Sequence, residues 1–161
     1  MTETLSTTGG DTTVVKEPGS AHQTFLVGEE IYLRRVEKDD ARLTVSWRES
    51  LFPLAPSITE SWITDDLTKA EQAWFVILRK ADDRIVGSLR PARFGPYTEL
   101  KAYVDPFYGP DADRWRAEVY RLVLPWMVDE QARVGVHVSV AGDETATIAA
   151  LLEIGAWEVQ R

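Results

Sequence analysis

The segment Ala102–Trp115, with the sequence AYVDPFYGPDADRW, passes from a β-like run through a Pro/Gly turn into an amphipathic helix. A loop at the N-terminus of a helix can bind a phosphate, because its N–H groups and the helix dipole both favour negative charge. The same loop carries the carboxylates of Asp111 and Asp113, which repel an anion. Its architecture therefore indicates an anion site, and its side chains oppose one.

The residues on either side extend this unit into a strand–helix–strand pattern. Thr98–Val104 alternates between an apolar and a polar face, which predicts a strand. A helix is predicted over Ala112–Gln131, where large apolar residues recur at helical spacing. The alternating valines of Val134–Val140 predict the next strand. The apolar residues of the first strand and of the helix are predicted to face the core: Leu100, Ala102, Val104, Trp115, Val119, Leu122 and Trp126.

Further elements are predicted from apolar periodicity and capping residues. They are a strand at Glu30–Val36, a helix from Asp39 or Asp40 to about Glu49, a helix that begins at Ser57 or Thr59, the hairpin strands Ala73–Arg79 and Arg84–Arg90, a helix that Asp143, Glu144 or Thr145 begins and Gly155 ends, and a strand at Ala156–Val159. Trp157 in the last strand is also predicted to be in the core. The resulting order, βααβββαβαβ, predicts an antiparallel centre and right-handed crossovers at the ends.

The composition limits the classes of function. The chain has 161 residues, which suits one domain at 25–161, and residues 1–24 are rich in Thr, Ser and Gly, which predicts a flexible N-terminal tail. The net charge of −8 disfavours nucleic acid and an anionic membrane as partners. The absence of cysteine excludes a thiol nucleophile and a thiolate metal site, and it fits a cytoplasmic location.

Several short motifs occur in an order that a known family shares. Leu33-Arg34-Arg35-Val36-Glu37-Lys38-Asp39-Asp40 precedes Trp47-Arg48, Phe75-Val76-Ile77 precedes Ile85-Val86-Gly87-Ser88, and Ile148–Ala156 resembles a closing helix with its glycine. In this order the chain resembles the GCN5-related N-acetyltransferase (GNAT) family, above all the branch that acetylates ribosomal proteins or protein N-termini. The resemblance covers about Ile31–Val159. It implies an α/β domain (α+β mixed sheet) in which a central mixed sheet is flanked by helices.

The resemblance also implies acetyl-CoA as co-substrate, bound in a gap between two central strands. In this family the loop before the equivalent helix wraps the pyrophosphate with backbone N–H groups, and Gly109 matches the first glycine of that loop. A backbone N–H in the segment Ala102–Val104 is the implied donor to the acyl carbonyl. The implied cofactor-binding residues are therefore Ala102, Val104, Tyr108, Gly109 and Ala112, and no metal is implied.

The sequence departs from the family pattern near the implied cofactor. Asp111 stands where a second glycine is expected, and Tyr108 stands where a basic residue is common. Glu144 and Leu151 replace an Asn that often contacts the cofactor and a Tyr that protonates the departing thiolate. A carboxylate about 5 to 6 Å from a phosphate charge costs about 3 kcal/mol at an effective dielectric near 20. Several such carboxylates would oppose tight CoA binding.

Acetyl transfer to an amine needs a base for the amine and an acid for the thiolate. The resemblance implies Glu99 as the base, and the alternative for Glu99 is an exposed strand carboxylate beside Lys101. His137 is a second candidate base, since imidazole titrates near neutral pH, and the alternative is an ordinary packed histidine. Tyr103 is a candidate acid, with ordinary packing as its alternative. Because no cysteine can form an acyl-enzyme, the amine would attack acyl-CoA directly.

A second hypothesis is a GNAT-fold module that has lost catalysis and serves as a binding or assembly subunit without CoA. The acidic residues Asp111, Asp113 and Glu144, together with Leu151, favour it. An open sheet edge invites strand addition, because its backbone groups are unpaired. Such an edge could bind a protein partner or a second copy of the chain.

Overall fold

The computed structural model describes residues 24–46, 55–68, 74–94, 96–129 and 135–157. Within these residues the strands are β1 (Thr24–Val27), β2 (Ile31–Arg35), β3 (Phe75–Arg79), β4 (Arg84–Phe94), β5 (Tyr97–Val104) and β6 (Val136–Val138). The α-helices are α1 (Pro56–Thr68), α2 (Pro110–Asp129) and α3 (Thr145–Glu153), and 3-10 helices span Lys38–Ser46 and Pro106–Tyr108. None of the helices in these ranges is long and apolar enough to cross a membrane.

The strands form one mixed sheet in the order β1-β2-β3-β4-β5-β6. Every neighbouring pair from β1 to β5 is antiparallel, and β5 and β6 are parallel. Parallel neighbours need a long crossover, and α2 provides it between β5 and β6. The predicted fold class, a mixed sheet flanked by helices, is confirmed.

The two faces of the sheet pack against different helices. On one face α2 packs on β5, and the alternation predicted there is confirmed because Leu100, Ala102 and Val104 are all buried. Trp115, which is 2% exposed, and the partly buried Trp126 join this cluster, as predicted. The other face is covered by the first 3-10 helix and α1, whose apolar residues pack on β3.

Polar side chains join helix α2 to the turn between β1 and β2 and to helix α3. The Glu118 carboxylate accepts a hydrogen bond from the backbone N–H of Glu30 at 3.0 Å. Glu30 in turn accepts from Arg114 at 2.9 Å and from the indole N–H of Trp115 at 2.7 Å. At the opposite side, Arg121 donates to Glu153 of α3. These contacts hold the first turns of α2, and hence the loop before it, in a defined position.

Gly87 in β4 is required by the close approach of β4 and β5. A Cβ at this position would collide with the carbonyl oxygen of Tyr103 and would lie 2.9 Å from Cα of Val104. Residue 87 pairs with Val104 across the ladder. The glycine of the Val86-Gly87-Ser88 motif therefore shapes the strand that carries the candidate acyl-binding segment.

Several predictions for individual elements were wrong. The strand predicted at Ala156–Val159 is absent at Ala156 and Trp157, and the rest of that range lies outside the described residues. Trp157 is 83% exposed rather than in the core, because the chain leaves α3 at Gly155, where φ is +87°, and no described strand follows to cover the ring. Strand β1 was not predicted.

Other elements differ from their predicted extent or type. The first helix is a 3-10 helix, and its predicted end at Glu49 lies outside the described residues. Strand β6 spans Val136–Val138, a shorter stretch than the predicted Val134–Val140, of which residue 134 is not described.

Candidate active site

The candidate site lies where the parallel strands β5 and β6 separate. The two strands pair only at Thr98–Val136, Glu99–His137 and Leu100–Val138 among the described residues. Strand β5 continues to Val104, whereas β6 ends at Val138. We call the gap between residues 101–104 of β5 and the chain after Val138 the split. It corresponds to the gap in which the family resemblance implies acetyl-CoA.

The backbone N–H of Ala102 points into the split. Thr98 donates its N–H to the carbonyl of Gly135 on the β6 side at 3.1 Å. Because amides alternate in direction along a strand, the N–H groups of Ala102 and Val104 point to the same side. In this structure the N–H of Ala102 donates to the hydroxyl of Tyr120 at 3.2 Å. Within the segment Ala102–Val104, the N–H of Ala102 is therefore directed into the split, and a tyrosine oxygen is its acceptor.

Tyr120 was not among the predicted site residues. It lies on the core side of α2 and is 1% exposed. Burial raises the pKa of Tyr120 to about 12, although the hydrogen bond from Ala102 works in the opposite direction. The hydroxyl therefore keeps its proton at neutral pH. The sequence gives only a general indication of this contact, because a tyrosine hydroxyl that is buried usually has a hydrogen-bond partner.

Two of the three predicted catalytic residues are neighbours in the sheet. Glu99 and His137 are directly paired across the parallel strands, so their side chains lie on the same face. Both side chains are half-buried, and the centres of the Tyr97 and His137 rings lie 4.7 Å apart. This face is opposite to the one that α2 covers.

Tyr103, the third candidate, lies on the same face of the sheet as Glu99 but at the other end of β5. It lies four residues further along β5, which corresponds to about 13 Å at about 3.3 Å per residue. Tyr103 is half-buried and pairs with Ser88 of β4. The structure therefore groups a carboxylate with an imidazole and leaves the candidate acid further along the strand.

The loop before α2 uses most of its amide groups internally. The Asp105 carboxylate, which is 6% exposed, accepts from the N–H of Phe107 at 3.0 Å. Proline at 106 and 110 has no N–H to donate. The other amides donate to loop carbonyls: Tyr108 to Asp105 at 3.2 Å, Gly109 to Pro106 at 2.9 Å and Ala112 to Gly109 at 3.0 Å. The loop is a self-contained turn, unlike the open ring of donors that the family resemblance implied.

The predicted cofactor-binding residues Tyr108 and Gly109 have defined local roles. Gly109 has a φ of +56°, a conformation that favours glycine, and it turns the chain into α2. The ring of Tyr108 packs edge-on against Trp115 with a centroid distance of 5.1 Å. The guanidinium of Arg79 lies 5.6 Å from the centre of the Tyr108 ring. Tyr108 is thus held against α2 and β3.

Asp113 caps α3 instead of facing the loop as a free charge. Its carboxylate accepts from the N–H groups of Ala146 at 2.7 Å and Thr147 at 3.0 Å, and from the Thr147 hydroxyl at 2.7 Å. Burial opposes ionisation, but the hydrogen bonds from Thr147 and Ala146 outweigh it and lower the pKa of Asp113. The predicted start of α3 is confirmed, because the helix begins at Thr145 with Glu144 at its N-cap position. Glu144 makes no capping side-chain bond, and Asp113 of α2 supplies these contacts instead.

The other two acidic residues pair with arginines. Asp111 accepts from Arg114 at 2.6 Å, and both side chains are about half exposed. Glu144 accepts from Arg116 at 2.6 Å in a more buried pair. A nearby cation offsets much of the repulsion that a lone carboxylate would exert on a phosphate. The acidic residues therefore oppose an anion less strongly than the sequence suggested.

Comparisons with known proteins agree with this architecture. A presumed acetyltransferase from Sphaerobacter thermophilus is 32% identical, with 81% of this chain and 80% of that chain covered and a TM-score of 0.62. A presumed ribosomal-protein-serine acetyltransferase from Vibrio cholerae is 16% identical, with 84% and 85% covered and a TM-score of 0.64. A GNAT-family acetyltransferase from Bacillus anthracis is 15% identical, with 81% and 82% covered and a TM-score of 0.61.

The first of these structures establishes the family. At 32% identity over four fifths of both chains, the first likeness extends beyond the fold, and the other two share the fold. No family model matches the sequence, and no curated protein matches it. The chain belongs to the GNAT family of acetyltransferases.

Proposed function

We propose that this protein transfers an acetyl group from acetyl-CoA to an amine, with a peptide N-terminus as one class of acceptor. The observation that carries the proposal is the split between the parallel strands β5 and β6, with the N–H of Ala102 directed into it. A polarising donor on the backbone does not depend on the side chains in which this chain departs from its family. Membership of an acetyltransferase family supports the same reaction.

The residues of the split fit the acyl end of acetyl-CoA. The N–H groups of Ala102 and Val104 would hold its carbonyl groups, and Gly109 and Ala112 frame the start of α2 nearby. The bound co-substrate supplies an activated thioester. A cation beside this loop is Arg114, which pairs with Asp111 and Glu30 and is half exposed, so a phosphate would have to displace one of these carboxylates to contact it.

Glu99 and His137 are the proposed groups for removing the proton of the acceptor amine. A carboxylate beside an imidazole can accept a proton from a neighbouring ammonium group and release it to water. Tyr103 is the proposed acid for the departing thiolate. The attack is direct, because the chain contains no cysteine that could carry the acyl group.

The first test is calorimetric titration with acetyl-CoA, followed by turnover with a panel of peptide N-termini and small amines. We expect binding in the micromolar range and thiol release with at least one acceptor. Glu99→Gln should then lower kcat by about 100-fold, the range of general base catalysis, and leave the Kd for acetyl-CoA unchanged. Glu29→Gln is the matched control, since Glu29 is an exposed carboxylate in the turn between β1 and β2.

One observation favours the second hypothesis, a GNAT-fold subunit that binds partners and does not use CoA. The amides of Phe107, Tyr108, Gly109 and Ala112 donate within the loop itself, which leaves few donors there for a phosphate. The edge strand β6 would then be the candidate site for pairing with another chain, including a second copy. Absence of acetyl-CoA binding at millimolar concentration would reject the enzyme proposal and favour this one.

A further inference from the structure

The contact between Tyr120 and Ala102 places two potential hydrogen-bond donors side by side in the split. The hydroxyl oxygen of Tyr120 lies 3.2 Å from the nitrogen of Ala102 and accepts its hydrogen. A hydroxyl that accepts one hydrogen bond still carries its own proton and can donate it. Two such donors, aimed at one oxygen, stabilise the negative charge that develops on a carbonyl under attack.

We propose that Tyr120 is a second donor to the acyl carbonyl and acts together with the backbone N–H of Ala102. This inference rests on the proposed function, since it requires an acyl-CoA in the split. When the carbonyl oxygen enters, it replaces the Tyr120 oxygen as the acceptor of the Ala102 N–H. The Tyr120 hydroxyl then donates to the same carbonyl oxygen.

The surroundings of Tyr120 suit a donor that stays protonated and fixed. The side chain belongs to the core cluster between α2 and β5, so its ring is held by packing on several sides. Burial keeps the pKa of the hydroxyl far above neutral. Leu151, which takes the place of the acid often found on the closing helix, packs against the same cluster and offers no proton. A tyrosine on α2 thus supplies a phenolic hydroxyl group, which α3 lacks.

The test compares two ligands that differ in the carbonyl. Acetonyl-CoA is a ketone analogue that carries a carbonyl group and cannot transfer its acyl group, and free CoA has no acyl group. Calorimetry gives the ratio of the two dissociation constants for each variant. We expect Tyr120→Phe to reduce the preference for the ketone by about tenfold, the value of one hydrogen bond, and to change the affinity for CoA little.

Tyr32→Phe is the matched control. Tyr32 is also a buried tyrosine, and its hydroxyl donates to Asp83 at 3.2 Å on the turn between β3 and β4, away from the split. The control should leave the ratio unchanged while it removes one buried hydroxyl. A similar melting temperature for the two variants would confirm that folding does not explain the difference.

The possible results separate this inference from the function on which it depends. If the wild-type protein binds neither ligand, the proposed function fails and the inference fails with it. If the wild type binds both and Tyr120→Phe leaves the ratio unchanged, the role of Tyr120 alone is rejected. A larger preference for the ketone in Tyr120→Phe would show that Tyr120 competes for the Ala102 N–H, which also overturns the inference.

A spectroscopic measurement tests the same contact without any variant. Infrared spectra of acetonyl-CoA labelled with carbon-13 at the carbonyl report the strength of its hydrogen bonds. On the wild-type protein we expect a stretching frequency below the value in water, because two fixed donors polarise the bond. A frequency at or above the value in water would contradict the proposal.

Discussion

The split and the loop before α2 are neighbouring parts of one strand–loop–helix unit, yet they use their backbone amides differently. In the split, the N–H of Ala102 is directed away from β4 and meets only a side-chain oxygen. In the loop, the N–H groups of Phe107, Tyr108 and Gly109 donate within the turn itself. The split thus holds a donor that a ligand can take over from Tyr120, whereas these three loop donors are already used within the turn.

This difference shows which backbone hydrogen-bond donors a side-chain substitution can remove and which it cannot. The Ala102 donor lies on a strand that pairing with β4 holds in place, so substitutions of nearby side chains leave it there. A ring of loop amides depends on every turn residue, and proline at 106 and 110 with a capping Asp105 closes it. Substitutions in the two regions should therefore produce effects of different kind and size.

The largest loss of stability is expected from Gly87→Ala, which adds a methyl group to β4 where this strand pairs with β5 beside the split. The added Cβ would collide with the Tyr103 carbonyl, so β4 and β5 must separate. We expect a loss of about 3 kcal/mol in the free energy of unfolding, as for other overpacked core positions, measured by urea denaturation. Gly142→Ala is the control, because no heavy atom lies within 4 Å of its Cβ position. Equal stability of the two variants would refute the close approach.

A smaller loss of stability is expected from Asp113→Ala. The change removes three hydrogen bonds to α3 and should cost about 2 kcal/mol, as for the loss of a strong helix cap. Asp111→Ala is the matched control two residues earlier, where the carboxylate pairs with the half-exposed Arg114, and it should change stability by less than about 0.5 kcal/mol. If both variants lose the same free energy, Asp113 is not a cap.

The contribution of Asp113 should also depend on pH. The folded-state pKa of this carboxyl lies below its unfolded value, so the unfolded chain binds the proton more readily. The stabilisation is therefore complete above the unfolded pKa, near 3.8, and is lost as the pH falls through the lower folded value. The difference in unfolding free energy between wild type and Asp113→Ala should be constant near neutral pH and shrink in acid. A difference that does not shrink would argue against an ionised cap.

The sequence predicted the elements that periodicity marks and missed the contacts that join them. The alternation of β5 and the helical spacing in α2 are local patterns, and both were confirmed. The bond from Ala102 to Tyr120 spans 18 positions, and that from Thr147 to Asp113 spans 34. No local pattern marks such pairs, so the sequence alone predicts a loop charge at Asp113 and no functional role for Tyr120. The strand β1 has only four residues, too few for a clear alternation.

The smallest effect is expected from Asp111→Asn, which tests how far the loop before α2 resists an anion. The carboxylate is about half exposed and already paired with Arg114, so solvent and the guanidinium screen most of its repulsion. We expect the affinity for CoA to rise by only about threefold to tenfold at low salt, with a smaller gain at high salt. Asp129→Asn removes the same charge from the exposed opposite end of α2, about 27 Å away at about 1.5 Å per residue, and reports the general effect of net charge. A gain of the hundredfold size that an unpaired carboxylate would give would mean that Arg114 does not neutralise Asp111 when CoA binds. No gain beyond that of the control would place the phosphates away from this turn, and the internal hydrogen bonds of the loop would then explain why they bind elsewhere.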